Sequence, residues 1–176
     1  DDVSHAVVAS LGTNFLVGGD GNDSFDFGTT LDASDYVDGG SERSEGGGDD
    51  TLTATIDGMT AGSSPTIIDI ETLNQTTTGA ASSLDGTVLQ GVDEIFVDGT
   101  ADLTLLNVEA DVQATGNKGV NFTGNLTVTV AGPDGMDLNG GSGNDSLTGS
   151  DGNDDLAVFT GDPIFAGGQD DIYGYA

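Results

Sequence analysis

Three short stretches of the chain share one arrangement of glycine and acid. They read Gly18-Gly19-Asp20-Gly21-Asn22-Asp23-Ser24-Phe25, Gly140-Gly141-Ser142-Gly143-Asn144-Asp145-Ser146-Leu147 and Gly149-Ser150-Asp151-Gly152-Asn153-Asp154-Asp155-Leu156. The second and third begin nine residues apart. Glycine takes positive φ freely, so such a stretch can turn tightly with its carbonyls pointing inward. The acid at the sixth position (Asp23, Asp145, Asp154) supplies a hard anionic oxygen, and the apolar residue two places on starts a short strand. Calcium takes about 6–8 oxygens, from carboxylates and carbonyls alike. That is the chemistry this set can do. The competing reading is turn chemistry, because Asn and Asp favour Asx-turns with no metal at all. Isolated acids such as Asp32, Asp35, Asp85 and Asp98 are read that way. Asp23, Asp145 and Asp154 are read as ligands, because glycine placement and period agree.

Other chemistries have little material. His5 is the only histidine and cysteine is absent, which leaves almost nothing for zinc sites or His-based nucleophilic catalysis. No H-E-x-x-H or G-x-S-x-G run occurs. Carboxylate pairs abound, which leaves glycoside hydrolysis open by residue count. Yet Trp is absent and aromatics are 6%, while sugar clefts lean on aromatic stacking. The sequons at Asn74, Asn121 and Asn125 read as strand-end polar residues. The expectation is a protein that is not an enzyme.

The elements that must position these acids are short strands. Runs such as Ala101-Asp102-Leu103-Thr104-Leu105 and Leu126-Thr127-Val128-Thr129-Val130 alternate apolar and polar residues, as half-buried strands do. Helical periodicity is nearly absent. The chain holds 176 residues with 30 Gly and 3 Pro, and that density of glycine implies many tight turns. Three segments emerge. Residues 1–65 carry Gly-Asp turns and strands, residues 66–130 a looser repeat of about 22 residues, and residues 131–176 Gly-Asp turns again. In the middle segment a shift of 22 aligns Ile70 with Val92, Glu71 with Asp93, Leu73 with Ile95 and Leu84 with Leu106. About one further coil brings Leu103-Thr104-Leu105 onto Leu126-Thr127-Val128. This period suits a parallel β-solenoid of the β-roll or β-helix kind, in which each coil stacks on the last. The alternative for the middle segment is a β-sandwich.

Charge limits the partners. Two basic residues face 31 acidic ones, for a net charge of −29 at pH 7. Nucleic acid needs cations against its phosphates, and an anionic membrane would repel this chain. Neither is expected as a partner. Hydrophobic content of 35% in short alternating runs argues against disorder, the other common reading of high charge. No basic and apolar leader is visible at Asp1-Asp2-Val3, and no apolar stretch approaches the roughly 20 residues of a membrane span.

The three stretches resemble the RTX repeat, G-G-x-G-x-D-x-U-x with U a large apolar residue. Two nonapeptides there make one coil, so turns on one side recur every 18 residues or so. The resemblance implies several calcium ions, each between stacked turns and sharing sixth-position acids. The turn at Asp151-Gly152-Asn153-Asp154 should then stack on Gly167-Gly168-Gln169-Asp170-Asp171, with Asp171 in the role of Asp154. The turn carrying Gly141, Gly143 and Asp145 should face Val158–Pro163, or instead the preceding turn near Gly124-Asn125. Ala9–Val17 reads as a degenerate capping copy with Gly12, Asn14 and Leu16 in place. Tyr36–Gly40 and Gly48–Leu52 read as one motif split by Ser41–Gly47, with Asp50 at the sixth position. Gly18 and Gly39 could share an ion across a slightly enlarged coil. The implied metal residues are Gly19, Asp20, Gly21, Asp23, Gly39, Asp50, Gly141, Gly143, Asp145, Asp151, Gly152, Asp154, Gly168, Asp170 and Asp171.

Runs such as Ile70-Glu71-Thr72-Leu73-Asn74 and Gly124-Asn125-Leu126-Thr127-Val128 are also similar to the β-solenoid parts of proteobacterial S-layer proteins. The resemblance implies an extracellular or bacterial cell-surface protein, exported by type I secretion and folding where calcium is plentiful. The expected function is structural: calcium-dependent self-assembly in a surface layer, sheath or filament, with copies of itself as partners. The alternatives are an adhesin or carbohydrate-binding segment that takes a cell-surface glycan, and the C-terminal repeat domain of a larger secreted toxin or enzyme. The chain is expected to be a segment or processed form of a larger surface protein.

Overall fold

The structure, a computed structural model, describes residues 4–40, 48–113, 126–130, 137–139, 145–148, 155–159, 164–165 and 171–175. Every strand pairing among them is parallel. Parallel neighbours cannot be joined by tight hairpins; the chain must travel a full circuit between them. The result is a parallel β-solenoid, and the sandwich alternative for residues 66–130 is set aside.

One face is a nine-stranded sheet. Its strands, in spatial order, are β1 (Ala6–Val8), β3 (Ser24–Gly28), β5 (Thr51–Ile56), β7 (Thr72–Thr77), β10 (Glu94–Gly99), β12 (Asp111–Gln113), β14 (Asp137–Asn139), β16 (Asp155–Phe159) and β18 (Asp171–Tyr175). The rest of each coil is shared between two smaller sheets. Early coils use β2 (Phe15–Val17), β4 (Tyr36–Asp38), β6 (Thr66–Ile68) and β9 (Leu89–Gln90). Later coils use β8 (Ser82–Asp85), β11 (Leu103–Val108), β13 (Leu126–Val130), β15 (Ser146–Thr148) and β17 (Ile164–Phe165). The coil that begins with β7 contains both β8 and β9, so it hands the chain from one minor sheet to the other.

Alternation explains the strands. In β3, Phe25 and Phe27 point inward and are buried, while Ser24, Asp26 and Gly28 stay exposed. In β5, Leu52, Ala54 and Ile56 do the same between threonines. The register then stacks Phe25, Leu52, Leu73, Ile95, Val112 and Leu138 in one column, coil upon coil. The described members form one apolar core from Phe25 to Leu147. Burying each such side chain contributes about 1.5–3 kcal/mol. The three segments of the sequence therefore share one continuous sheet.

The repeat alignments hold in most places. Leu73 lies opposite Ile95, and Leu103-Thr104-Leu105 opposite Leu126-Thr127-Val128. One alignment is off by a residue: Leu84 pairs with Leu105, and Leu106 with Asp85. Leu84 and Leu105 are both fully buried, and a one-residue slip would turn every side chain of the strand to the other face. A second alignment is also corrected. Asp171 lies opposite Asp155, with Ile172 opposite Leu156, so Asp171 does not take the place of Asp154.

Candidate functional site

A column of residues stands immediately before the strands of the nine-stranded sheet. It runs His5, Asp23, Asp50, Glu71, Asp93, because Ala6, Ser24, Thr51, Thr72 and Glu94 lie side by side. Asp23 and Asp50 occupy equivalent places although they are 27 residues apart. The insertion at 41–47 lengthens that coil without moving Asp50 out of the column.

The column is a relay of carboxylates onto main-chain donors. The His5 N–H donates to Asp23 Oδ1 at 2.6 Å. The Asp23 N–H donates to Asp50 Oδ1 at 2.6 Å, and the Asp50 N–H to Glu71 Oε2 at 2.6 Å. Each acid thus caps the backbone of the coil before it. Charge-assisted bonds of this kind are short and strong. His5 adds its ring, with Nδ1 at 3.0 Å from Asp23 Oδ1. Glu71 belongs to this set, and the nonapeptide pattern missed it; its spacing of 21 from Asp50 was the available signal.

The second oxygen of Asp23 is different. Asp23 is 1% exposed, and its Oδ2 is buried with no hydrogen-bond partner. That oxygen lies against Gly18. A Cβ on Gly18 would come within 2.2 Å of Asp23 Oδ2 and 2.1 Å of the Gly39 carbonyl oxygen. Two oxygens therefore crowd the place where a Gly18 side chain would start; of the two, only Asp23 Oδ2 has no donor. The next coil repeats the cradle, since a Cβ on Gly39 would meet Asp69 O at 1.8 Å and Asp50 Oδ2 at 2.1 Å. Only glycine leaves room for either approach. The turns themselves interlock: Gly18 N–H donates to Asp38 O at 2.8 Å and Gly19 N–H to Gly39 O at 3.0 Å. Gly40, at φ +120°, sits so close to Gly19 that a Cβ would be 2.1 Å from its carbonyl oxygen. Gly21 is buried and Asp20 half-buried in the same turn. The expected stacking of Gly18 on Gly39 is present.

Asp145 uses the same device on the other face of the solenoid. It is fully buried, and its Oδ1 accepts from the Leu126 N–H at 2.8 Å. Its carboxylate thus turns to the preceding coil, the second of the two neighbours the sequence offered. Strands β15 and β16, which follow Asp145 and Asp154 in sequence, lie in opposite sheets, so consecutive nonapeptides alternate faces. Gly141, Gly143, Asp151, Gly152, Asp154, Gly168 and Asp170 lie outside the described residues.

Asp35 also has a column position that its isolation in sequence hid. It stacks on Asn14, just ahead of β4 and β2. Its Oδ1 accepts from Asn14 N–H at 2.8 Å and Nδ2 at 2.9 Å, and its Oδ2 from Asp32 N–H at 2.7 Å. Both oxygens are satisfied by protein donors, so this copy is held by hydrogen bonds. The other isolated acids do perform turn chemistry. Asp32 accepts from Ser34 Oγ and N–H, and these bonds hold its carboxyl below the usual range. Asp85 accepts from the Thr87 N–H, Asn107 Nδ2 and Thr87 Oγ1, with the same result. Asp98 accepts from the Gly99 N–H.

Among the described residues no three His, Cys, Asp or Glu side chains converge as a metal cluster. A cation at the Gly18–Asp23 turn would therefore lean on main-chain carbonyls beside one carboxylate, a donor set that fits a hard oxygen-seeking ion. A separate cleft of about 650 Å³ opens at a corner of the coils. Hydroxyls and the carboxylates of Asp32 and Asp57 line it over Leu31 and Met59, with no aromatic ring. No helix among the described residues is long and apolar enough to cross a membrane. The fold and this site together define a parallel β-solenoid with a ladder of acids, two of which, Asp23 and Asp50, are buried beside stacked glycine turns. No family model, curated protein or solved structure matches the chain.

Proposed function

We propose that the chain is a non-catalytic structural protein of the RTX type, stabilised by several calcium ions and built for assembly at a cell surface. One observation carries this reading: Asp23 Oδ2, buried and without a hydrogen-bond partner, aimed with the Gly39 carbonyl at a glycine-lined turn. Burying a carboxylate oxygen with no donor is costly unless a positive charge meets it. Asp23 with the Gly39 carbonyl, and Asp50 with the Asp69 carbonyl, are the groups that would hold calcium here. The ion supplies positive charge against the ladder and ties one coil to the next.

The net charge of −29 supports the same reading at larger scale. Copies with that charge repel one another in the absence of bridging cations. Calcium would then govern both folding and assembly outside the cell, where it is abundant. The chelator test is direct. Excess EGTA should lower the melting temperature sharply and dissolve any assembly, and added calcium should restore both. A chain that stays equally stable and assembled in EGTA overturns the proposal.

A further inference from the structure

Aspartate followed by glycine is the dipeptide most open to one self-modification. Glycine has no Cβ to shield its nitrogen, which can close on the aspartate side chain to form a five-membered ring. Five such pairs lie among the described residues, at 20–21, 38–39, 57–58, 85–86 and 98–99. The fold treats them differently. Gly21, Gly39 and Gly86 are buried, which keeps water from the peptide that must react. Gly39 also commits its N–H to Ile68 O at 2.9 Å. Asp85 turns its carboxylate to Thr87 and Asn107. At the exposed pair, Asp57 Oδ1 accepts from the Ala80 N–H at 2.7 Å, and the Gly58 N–H donates to Ala80 O at 3.4 Å. Carboxylate and nitrogen there both face the next coil.

The last pair differs. The Gly99 N–H donates to the carboxylate of its own neighbour, Asp98 Oδ1, at 2.6 Å. Asp98 Cγ, one bond beyond that oxygen, then lies about 3 Å from the nitrogen, a separation from which covalent bonds form. Gly99 is held in this place. Its φ is +109°, and a Cβ on it would meet Thr77 O at 2.1 Å. Both residues are half-buried, so water still reaches them at the end of β10.

We propose that Asp98–Gly99 is a self-modification site, where aspartate converts to isoaspartate. The Gly99 nitrogen bonds to Cγ of the protonated carboxyl. The Cγ–OH bond breaks, and the hydroxyl leaves as water with the proton that the nitrogen gives up. Water then adds to the ring at the Asp98 main-chain carbonyl and breaks its bond to nitrogen. The chain now runs through Cγ. The net change neither gains nor loses an atom, and water is the only co-reactant. The consequence is structural. The main chain becomes one atom longer between Asp98 and Gly99. The Asp98 carbonyl, which accepts from Thr77 Oγ1 at 3.4 Å, becomes a free carboxylate. Gly99 loses its seat beside Thr77, and the β7–β10 ladder loosens at that end. None of these groups belongs to the glycine turns, so the inference stands apart from the calcium reading.

The test ages the full chain for weeks in calcium buffer at mildly acidic pH and body temperature. Peptide mapping with electron-transfer fragmentation, which tells isoaspartate from aspartate, then ranks the five pairs. Isoaspartate at residue 98 should exceed that at each of the other four by about tenfold or more. In guanidinium chloride, where only sequence acts, the five should differ little. Asp98→Glu keeps the charge but would need a six-membered ring. It should leave the site unmodified and the circular dichroism spectrum unchanged. Aged wild-type chain should melt below fresh chain, and aged Asp98→Glu should not. Folded chain with no isoaspartate at residue 98, or with as much at residue 57, overturns the proposal. A lead for residue 98 that persists in guanidinium overturns it too, since the fold would not be the cause. An unchanged melt after conversion at residue 98 overturns the structural consequence.

Discussion

The coils around Asp23 and Asp50 and the coils around Glu71 and Asp93 solve one problem in two ways. All four residues stand in the same column, ahead of strands of the same sheet. In the first pair the preceding residue is exposed, Asn22 or Asp49, and the acid itself is buried. In the second pair the preceding residue is buried, Ile70 or Val92, and the acid is half-buried or exposed. The turn opposite changes too: Gly18 and Gly39 give way to Asp69, at φ +50°. One backbone ladder thus serves a polar corner that buries its acid and an apolar corner that closes by packing. Continuity of the parallel sheet is what lets the two kinds of corner alternate within one solenoid.

The comparison can be broken most severely at the polar glycines. Gly39→Val places a Cβ against the Asp69 carbonyl, which is main chain and cannot swing aside. Overpacking of this kind costs about 3 kcal/mol or more, so denaturant unfolding should show a collapse of stability or no folded protein. Gly62, with open space at its Cβ position, should tolerate Ala with almost no change.

Next come the acids. Asp50→Ala removes the acceptor of the Asp23 N–H and should cost about 1–3 kcal/mol. Asp23→Asn should cut the calcium-dependent rise in melting temperature, while Glu71→Gln should leave that rise intact. Equal loss in both variants would erase the distinction between the two corners.

Gln75 sharpens the apolar side. It faces the core at 1% exposure, and neither atom of its amide has a hydrogen-bond partner. The register sets it between Ala54 and Val97. Gln75→Leu should raise stability by about 1 kcal/mol, because an unsatisfied buried amide costs more than an apolar side chain of similar size. A lower urea midpoint would contradict that account.

The smallest effect is acid sensitivity at the exposed loops. Asp32 and Asp85 have carboxyls held below the ordinary value by hydrogen bonds, from Ser34 and from Thr87 with Asn107 respectively. Their contribution is complete above the ordinary Asp value and is lost as pH falls through the lowered folded values. Asp85→Asn should therefore flatten the stability curve slightly at its acid end, and thermal melts across pH would read this out.

The glycine-acid motif was legible because each position has its own physical demand: glycine for close approach, acid for charge, a large apolar residue for the core. Thus Asp23 and Asp145 could be picked out directly, and Asp50 across a split copy. Glu71 and Asp35 were not legible as ladder members, since neither sits in a glycine turn. Their roles exist only because the coil before them presents a free N–H at the right height. The shift of 22 located Leu73 against Ile95 but misplaced Leu84 by one, because turns of unequal length lie between the strands.

Composition, charge and alternation by themselves determined that the chain is all-β, acid-rich and built of stacked turns, since these follow from what each residue can do alone. Tertiary structure alone decided which acid meets which backbone and where a carboxylate oxygen is left without a donor. Those facts depend on register between coils distant in sequence, and register is set by the fit of buried side chains across the whole core.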